Sequence, residues 1–291
     1  MTTAAADWND PVAYLRQALA HGQFELYCQP IAGLSGIVAY PMAEVLIRLH
    51  EEETALVPPG EFLPVLEHYG MMPELDRWVV REVLARLASG PEIPRFCINL
   101  SRQTIADLRF ADFFADQLAR HGVPADCLVF EIDEADIAAA PSSARRLCAS
   151  VGSLGAGVLI DGFGRSEQPQ AMLSLPCVQY IKLHGSLTRH LATDEAAAAK
   201  LHPLLALAAE RGIAAIAECV ESEEVLACLR ALKVRYAQGF GVCEPQPIDL
   251  VAELPAIRVS QRRPRDAHLV PVQGLLDLTG NWLYSQRQTA S

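Results

Sequence analysis

From residue 96 to residue 238 the chain alternates short apolar runs with longer stretches whose apolar residues recur at helical spacing. This alternation constrains the fold more than any other feature. A strand and helix rhythm of this kind marks βαβ units with a parallel sheet. Strands are predicted at 96–100, 127–132, 157–161, 178–183, 213–219 and 234–238, and helices at 75–87, 111–121, 142–153, 195–211 and 221–232. Two earlier strands, 24–31 and 38–49, are joined by a short glycine-containing loop, which points to an antiparallel start. Before them, Asn9-Asp10-Pro11 offers a capping residue and then proline at the first helical position, with Val12, Leu15 and Leu19 at helical spacing until Gly22. Eight strands with alternating helices predict an α/β fold, a TIM-like (β/α)8 barrel with an antiparallel first strand. The 291 residues suit such a barrel, which commonly needs roughly 250. The alternative, an open doubly wound sheet, would be favoured by a glycine-rich phosphate loop after the first strand, and none is present.

The formal charge of −11 argues against long nucleic acid as a partner, because binding to a phosphate backbone needs many Lys and Arg. No run approaches the roughly 18 apolar residues of a membrane span, and the Met1-Thr2-Thr3-Ala4 start lacks a basic, then apolar, signal pattern. A cytoplasmic location is the expectation. The eight cysteines form no CxxC pair and no zinc ladder with histidines, so they read as small apolar residues. Two regions are expected: a barrel over residues 1–254, and a C-terminal basic linker with a short apolar extension over 255–291. Arg258-Val259-Ser260-Gln261-Arg262-Arg263-Pro264-Arg265 forms the linker, and the apolar segment spans 269–284. The tail reads either as a solvated strap on the barrel or as a partner-docking segment.

Barrel sites form at the C-terminal ends of strands. Here those ends are polar: Glu44 and Arg48 on the second strand, then Asn99, Glu131, Asp161, Lys182, Glu218 and Gln238. Any one of them could be a satisfied buried polar group. Four carboxylates and an amide converging on one opening, however, repel each other unless a cation neutralises them. An all-oxygen set suits Mg²⁺ or Mn²⁺. With a lysine and an arginine beside it, such a site reads as phosphoryl chemistry on a phosphate ester or diester.

Over residues 24–247 these motifs, in this order, resemble the EAL family of cyclic di-GMP phosphodiesterases. Gln29-Pro30-Ile31 is similar to the family's QPI, and Glu44-Val45-Leu46-Ile47-Arg48 stands where EAL and its arginine belong. Pro59 with Phe62-Leu63-Pro64 resembles PxxFIP, and Asn99-Leu100-Ser101 matches NLS. Glu131-Ile132-Asp133-Glu134 resembles ExTE with aspartate in place of threonine, Glu218-Cys219-Val220-Glu221 resembles EGVE, and Gln238-Gly239-Phe240 with Pro245 resembles the closing motif. The resemblance implies a barrel whose first strand is antiparallel. It implies Glu44, Asn99, Glu131, Asp161 and Glu218 as ligands to Mg²⁺ or Mn²⁺, with Lys182 and Glu44 in the catalytic role. It places Gln29, Leu46, Arg48, Asp161, Glu221 and Gln238 against cyclic di-GMP. It also implies a homodimer or a protein partner in a signalling, pilus or motility system.

Three departures stand out. The family's DDFGTG is Asp161-Gly162-Phe163-Gly164-Arg165-Ser166, so the second carboxylate is absent; Glu167-Gln168-Pro169 follows in a loop tied in the family to dimerisation; and KxD is Lys182-Leu183-His184. Three functions stay open: a cyclic di-GMP receptor with little or no hydrolysis, a metal-dependent phosphodiesterase giving linear pGpG, and a nucleotide-independent interaction module. For the tail, removal of residues 255–291 separates its two readings: loss of partner capture is the expected outcome for a docking segment, and unchanged capture and solubility leave only the strap.

Overall fold

In the computed structural model the described residues are 10–249, apart from 36–37, 52–54, 58, 91–92 and 167–168. Residues 255–291, the expected linker and extension, lie outside them, as do Glu167 and Gln168. Helix α1 (Pro11–Ala20) opens the chain, capped as anticipated: Ala13 N–H donates to Asp10 Oδ1 at 3.0 Å, and Pro11 sits in the first turn. Then come β1 (Phe24–Gly33), β2 (Met42–Glu51), β3 (Ala55–Val57), α2 (Pro59–His68), α3 (Met72–Ala88) and β4 (Phe96–Asn99). They are followed by α4 (Arg102–Ala106), α5 (Phe110–His121), β5 (Leu128–Asp133), α6 (Glu134–Ala139), α7 (Pro141–Ser153), β6 (Gly157–Phe163) and β7 (Val178–Leu183). The described chain closes with α8 (Gly185–Thr188), α9 (Glu195–Ala209), β8 (Ala214–Ala217), α10 (Glu223–Ala231), β9 (Tyr236–Ala237) and β10 (Gln246–Pro247).

The strands β1, β2, β4, β5, β6, β7, β8 and β9 form a closed ring, with β3 added beside β2 and β10 beside β1. From β2 to β9 the pairings around the ring are parallel. β1 runs antiparallel to both β2 and β9, so the predicted barrel with its reversed first strand is the one observed. Several elements differ from the sequence reading. The second strand begins at Met42 rather than at residue 38, because Pro41 has no N–H for the ladder. The last two parallel strands are shorter than predicted. α2, with Pro64 inside it, was not read as a helix, and β3 and β10 were missed because runs of two or three residues carry no periodicity.

Burial divides by strand face. The outward sides of the strands and the helices share a large core that includes Phe62, Phe96, Phe110, Phe114 and Phe130. The inward sides form a separate small cluster of Ile31, Met42, Cys97, Val129, Leu159, Tyr180, Ala214 and Ile216, with Tyr236 packed against it. Side chains on a strand alternate faces, so the next inward position lies two residues further along. Those positions are Gln29 on the reversed β1, then Glu44, Asn99, Glu131, Asp161, Lys182, Glu218 and Gln238. The apolar cluster is therefore the floor under a polar layer, and all eight thiols, Cys97 in the floor among them, are free.

Behind the layer, Asp76 of α3 is completely buried and fixes the turn after β4. It accepts hydrogen bonds from Ser101 N at 3.0 Å and Ser101 Oγ at 2.7 Å, and Ser101 Oγ in turn accepts from Thr104 N to cap α4. Burial pushes the Asp76 carboxyl up to about 6, against the opposing pull of its hydroxyl and amide donors. A carboxyl raised in the fold contributes fully while it is protonated in both states, below about pH 4, and that contribution is lost as pH rises through 6. Relative to Asp76→Asn, which cannot ionise, the native chain is expected to lose about 2 kcal/mol of stability between pH 4 and pH 7. Urea unfolding of both proteins across that range checks this; a stability gap that does not move with pH refutes it.

Candidate functional site

The layer is held by Lys182. Its Nζ donates to Glu44 Oε2 at 2.8 Å and to Glu131 Oε2 at 2.5 Å, and stands 4.0 Å from Asp161 Oδ1. Glu44 also accepts from Asn99 Nδ2 at 2.9 Å and from Gln238 Nε2 at 2.7 Å. Gln238 Nε2 reaches Gln29 Oε1 at 3.1 Å, and Gln29 donates onward to the Cys243 carbonyl at 3.0 Å. Strands β1, β2, β4, β5 and β7 and the residue after β9 thus meet in one hydrogen-bonded network. Glu218 lies just beyond β8, where its Oε1 accepts from Gly185 N at 2.5 Å.

Charge decides the protonation of this layer. Four carboxylates, Glu44, Glu131, Asp161 and Glu218, face one ammonium. Burial works against the Lys182 charge, but Glu131 and Glu44 outweigh it and hold the lysine well above its usual range. Burial and repulsion from Glu44 drive Glu131 far upward, and burial with Asp161 pushes Glu218 up to about 7. The layer is short of positive charge.

It is also short of donors. Asn99 Oδ1, Glu131 Oε1, Asp161 Oδ1 and Gln238 Oε1 are buried oxygens with no hydrogen-bond donor. Buried acceptors left alone are costly and rare, and hard, oxygen-seeking cations satisfy such a set. Among the described residues no three His, Cys, Asp or Glu side chains already stand as a ready-made metal cluster, because Lys182 occupies the space between Glu44 and Glu131. The donor chemistry fits Mg²⁺ or Mn²⁺.

Above the layer, β2 continues past Glu44 and places Leu46 and Arg48 on the same inward face. Both are nearly buried. The Arg48 guanidinium lies 5.0 Å from the centroid of the Tyr27 ring and donates to the Ile47 carbonyl at 2.7 Å. Tyr27 is the cross-strand partner of Leu46, so the β1–β2 ladder builds this cation–π contact. Glu221 is exposed in the loop after β8. His184, at the KxD position, caps α8, its Nδ1 accepting from Ser186 N. Burial and the nearby Arg165 charge lower its pKa.

A second network, which the sequence reading missed as such, lines the mouth beside Asp161. Asp133 caps α6 through Oδ1, which accepts from Ala135 N at 2.6 Å, while Oδ2 accepts from Arg165 Nη2 at 2.5 Å. Glu134 Oε2 accepts the backbone N–H of Arg165 at 2.8 Å, and Arg102 Nε donates to Asp136 at 2.7 Å to tie α4 to α6. The signal was present in the sequence as two unconnected motif departures, Asp133 and Arg165, whose pairing needed the fold.

Comparison with known proteins bears on this geometry. The EAL domain family profile matches residues 12–245. The cyclic di-GMP phosphodiesterase PdeF of Escherichia coli is 32% identical over 250 residues, spanning 84% of this chain and 33% of PdeF. The cyclic di-GMP phosphodiesterase PdeB of Shewanella oneidensis is 27% identical over 251 residues, 85% of this chain and 29% of PdeB. The chain thus spans about a third of the length of these curated relatives. Among solved structures, the FimX EAL domain of Pseudomonas aeruginosa bound to c-di-GMP superposes with a TM-score of 0.77 at 31% identity, covering 82% of this chain and 97% of that domain. No described helix is long and apolar enough to cross a membrane. The profile match over most of the chain, together with a relative 32% identical across 84% of it, establishes that this chain belongs to the EAL domain family.

Proposed function

We propose that the barrel is a cytoplasmic cyclic di-GMP receptor with little or no phosphodiesterase activity, passing its signal through a second copy or a protein partner of a signalling, pilus or motility system. The observation that carries this reading is Gly162. The position that follows Asp161 in the strand-end motif has no carboxylate, and the Arg165 guanidinium lies over it. Gln29, Leu46 and Arg48, by contrast, are retained, and a buried Arg48 guanidinium lying over the Tyr27 ring supports recognition of a phosphate. A similar domain, that of FimX, was solved with c-di-GMP bound, which supports the same ligand here.

Mg²⁺ or Mn²⁺ in the layer would be held by Glu44, Asn99, Glu131, Asp161 and Glu218, and it would supply charge neutralisation for phosphate oxygens and a lowered pKa for a bound water. Lys182 holds the Glu44 and Glu131 carboxylates in position, and Gln29, bonded to Gln238, orients the rim. If the absent carboxylate forfeits about 4 kcal/mol of transition-state stabilisation, turnover slows by roughly a thousandfold. Binding does not depend on that term in the same way.

The second reading, an active phosphodiesterase giving pGpG, is favoured by the polar layer, which keeps the carboxylates of Glu44, Glu131, Asp161 and Glu218. Chromatography of cyclic di-GMP held with stoichiometric protein and Mn²⁺ separates the two: intact nucleotide is expected, whereas linear product absent from a Glu44→Ala control establishes the enzyme. Binding is expected to weaken by at least about tenfold in Arg48→Ala, through loss of one buried charge-assisted contact. Calorimetric titration with cyclic di-GMP measures it, and undiminished affinity excludes the assigned mouth.

A further inference from the structure

Asp133, Gly162 and Arg165 meet in one place, on adjacent strands β5 and β6 and the loop that follows. Gly162 sits where the register of β6 against β7 shifts, with φ 63°, in the left-handed region. A Cβ at Gly162 would lie 2.4 Å from Arg165 Nη2, 2.6 Å from Cζ and 2.8 Å from Nε. A side chain at 162 and the guanidinium in its observed position therefore exclude each other.

The guanidinium is not free to swing away without loss. Its Nη2 donates to Asp133 and its Nε donates to the Gly162 carbonyl at 3.0 Å, 3.9 Å from Glu134 Oε2. The Asp133 and Glu134 side chains are 1% and 2% exposed, so each needs a compensating charge. Asp161, whose Oδ1 is buried without a donor, adds its field to the same group. An arginine stays protonated under all ordinary conditions and matches a carboxylate in shape, so it neutralises this corner permanently. Unlike a divalent ion, it neither takes an open coordination position nor lowers the pKa of a bound water.

We propose that Arg165 is the mouth's resident second cation: a fixed guanidinium that stands beside Asp133 and Asp161 in place of a divalent ion, so that the mouth admits one metal ion and not two. The proposal rests on reading the polar layer as a divalent-cation site. It follows that restoring a carboxylate at 162 alone does not create a further metal site. The new carboxylate meets the guanidinium and pairs with it. It becomes free to hold metal only when Arg165 is also replaced, for instance by the threonine of the family motif.

The test counts Mn²⁺ ions bound per chain, by titration of metal-stripped protein followed through the electron paramagnetic resonance of free Mn²⁺. The native chain, Gly162→Asp, and the double variant Gly162→Asp/Arg165→Thr are compared, each checked for folding by circular dichroism. One ion is expected in the native chain and in Gly162→Asp, and two in the double variant. Should the double variant not fold, Gly162→Asp/Arg165→Gln, which keeps hydrogen-bond donors but removes the charge, replaces it with the same expectation. Two ions in the native chain, a gain in Gly162→Asp alone, or no gain when the arginine is removed overturns the proposal while leaving the layer as a metal site. No ion in any of the proteins overturns the reading of the layer and the proposal together.

Discussion

The ammonium of Lys182 is the point on which the interior turns. It is 2% exposed, lies between Glu44 and Glu131, and sits within reach of Asp161, so one cation serves three carboxylates from three strands. Removing a partner from a buried pair commonly costs about 3–5 kcal/mol, because the charge left behind has neither water nor a counter-ion. The same contacts decide which strand ends can be polar. An inward carboxylate on β2 or β5 is tolerated only because β7 supplies an ammonium at the same height. Register, barrel closure and the electrostatics of the mouth are thus one constraint seen at three scales.

The layer is nonetheless left acidic, and the cations around it are graded by depth. Lys182 lies inside it, Arg165 is beside it at the mouth, and Arg48 is above it on β2. Interior packing makes this arrangement stiff. The apolar cluster below fills the barrel, and the helices that carry the mouth loops are stitched to one another by Arg102–Asp136 and by the Asp76–Ser101 contact.

Much of this was legible in the sequence, for physical reasons that differ by residue. Glu44, Asn99, Glu131, Asp161, Lys182 and Gln238 could be placed because a charged group at the end of an apolar strand run has few places to go in a barrel except its mouth. The reversed β1 could be read from the short loop to β2. The role of Arg165 could not, since it depends on a guanidinium reaching back over Gly162 to a residue 32 positions earlier, and spacing along the chain carries no such information. Nor could the buried Asp76 be found: an acidic residue on an amphipathic helix looks solvated until its neighbour Ser101 is known to lie against it. Glu221 shows the reverse case, a motif residue that the fold leaves exposed.

The reversal of β1 carries a consequence for how the chain enters the barrel. Because β1 runs against its neighbours, its first residues lie at the end of the barrel that bears the mouth: Phe24 pairs with Leu49 and Glu25 with Arg48. In an all-parallel barrel the segment before the first strand would reach the opposite end. Here α1 arrives on the mouth side, and its Arg16 is paired with Glu74 at the start of α3. The strand that receives the chain from α1 is the strand that places Tyr27 against the Arg48 guanidinium, so the arrival of the chain from α1 and the arginine above the polar layer share a single ladder of hydrogen bonds.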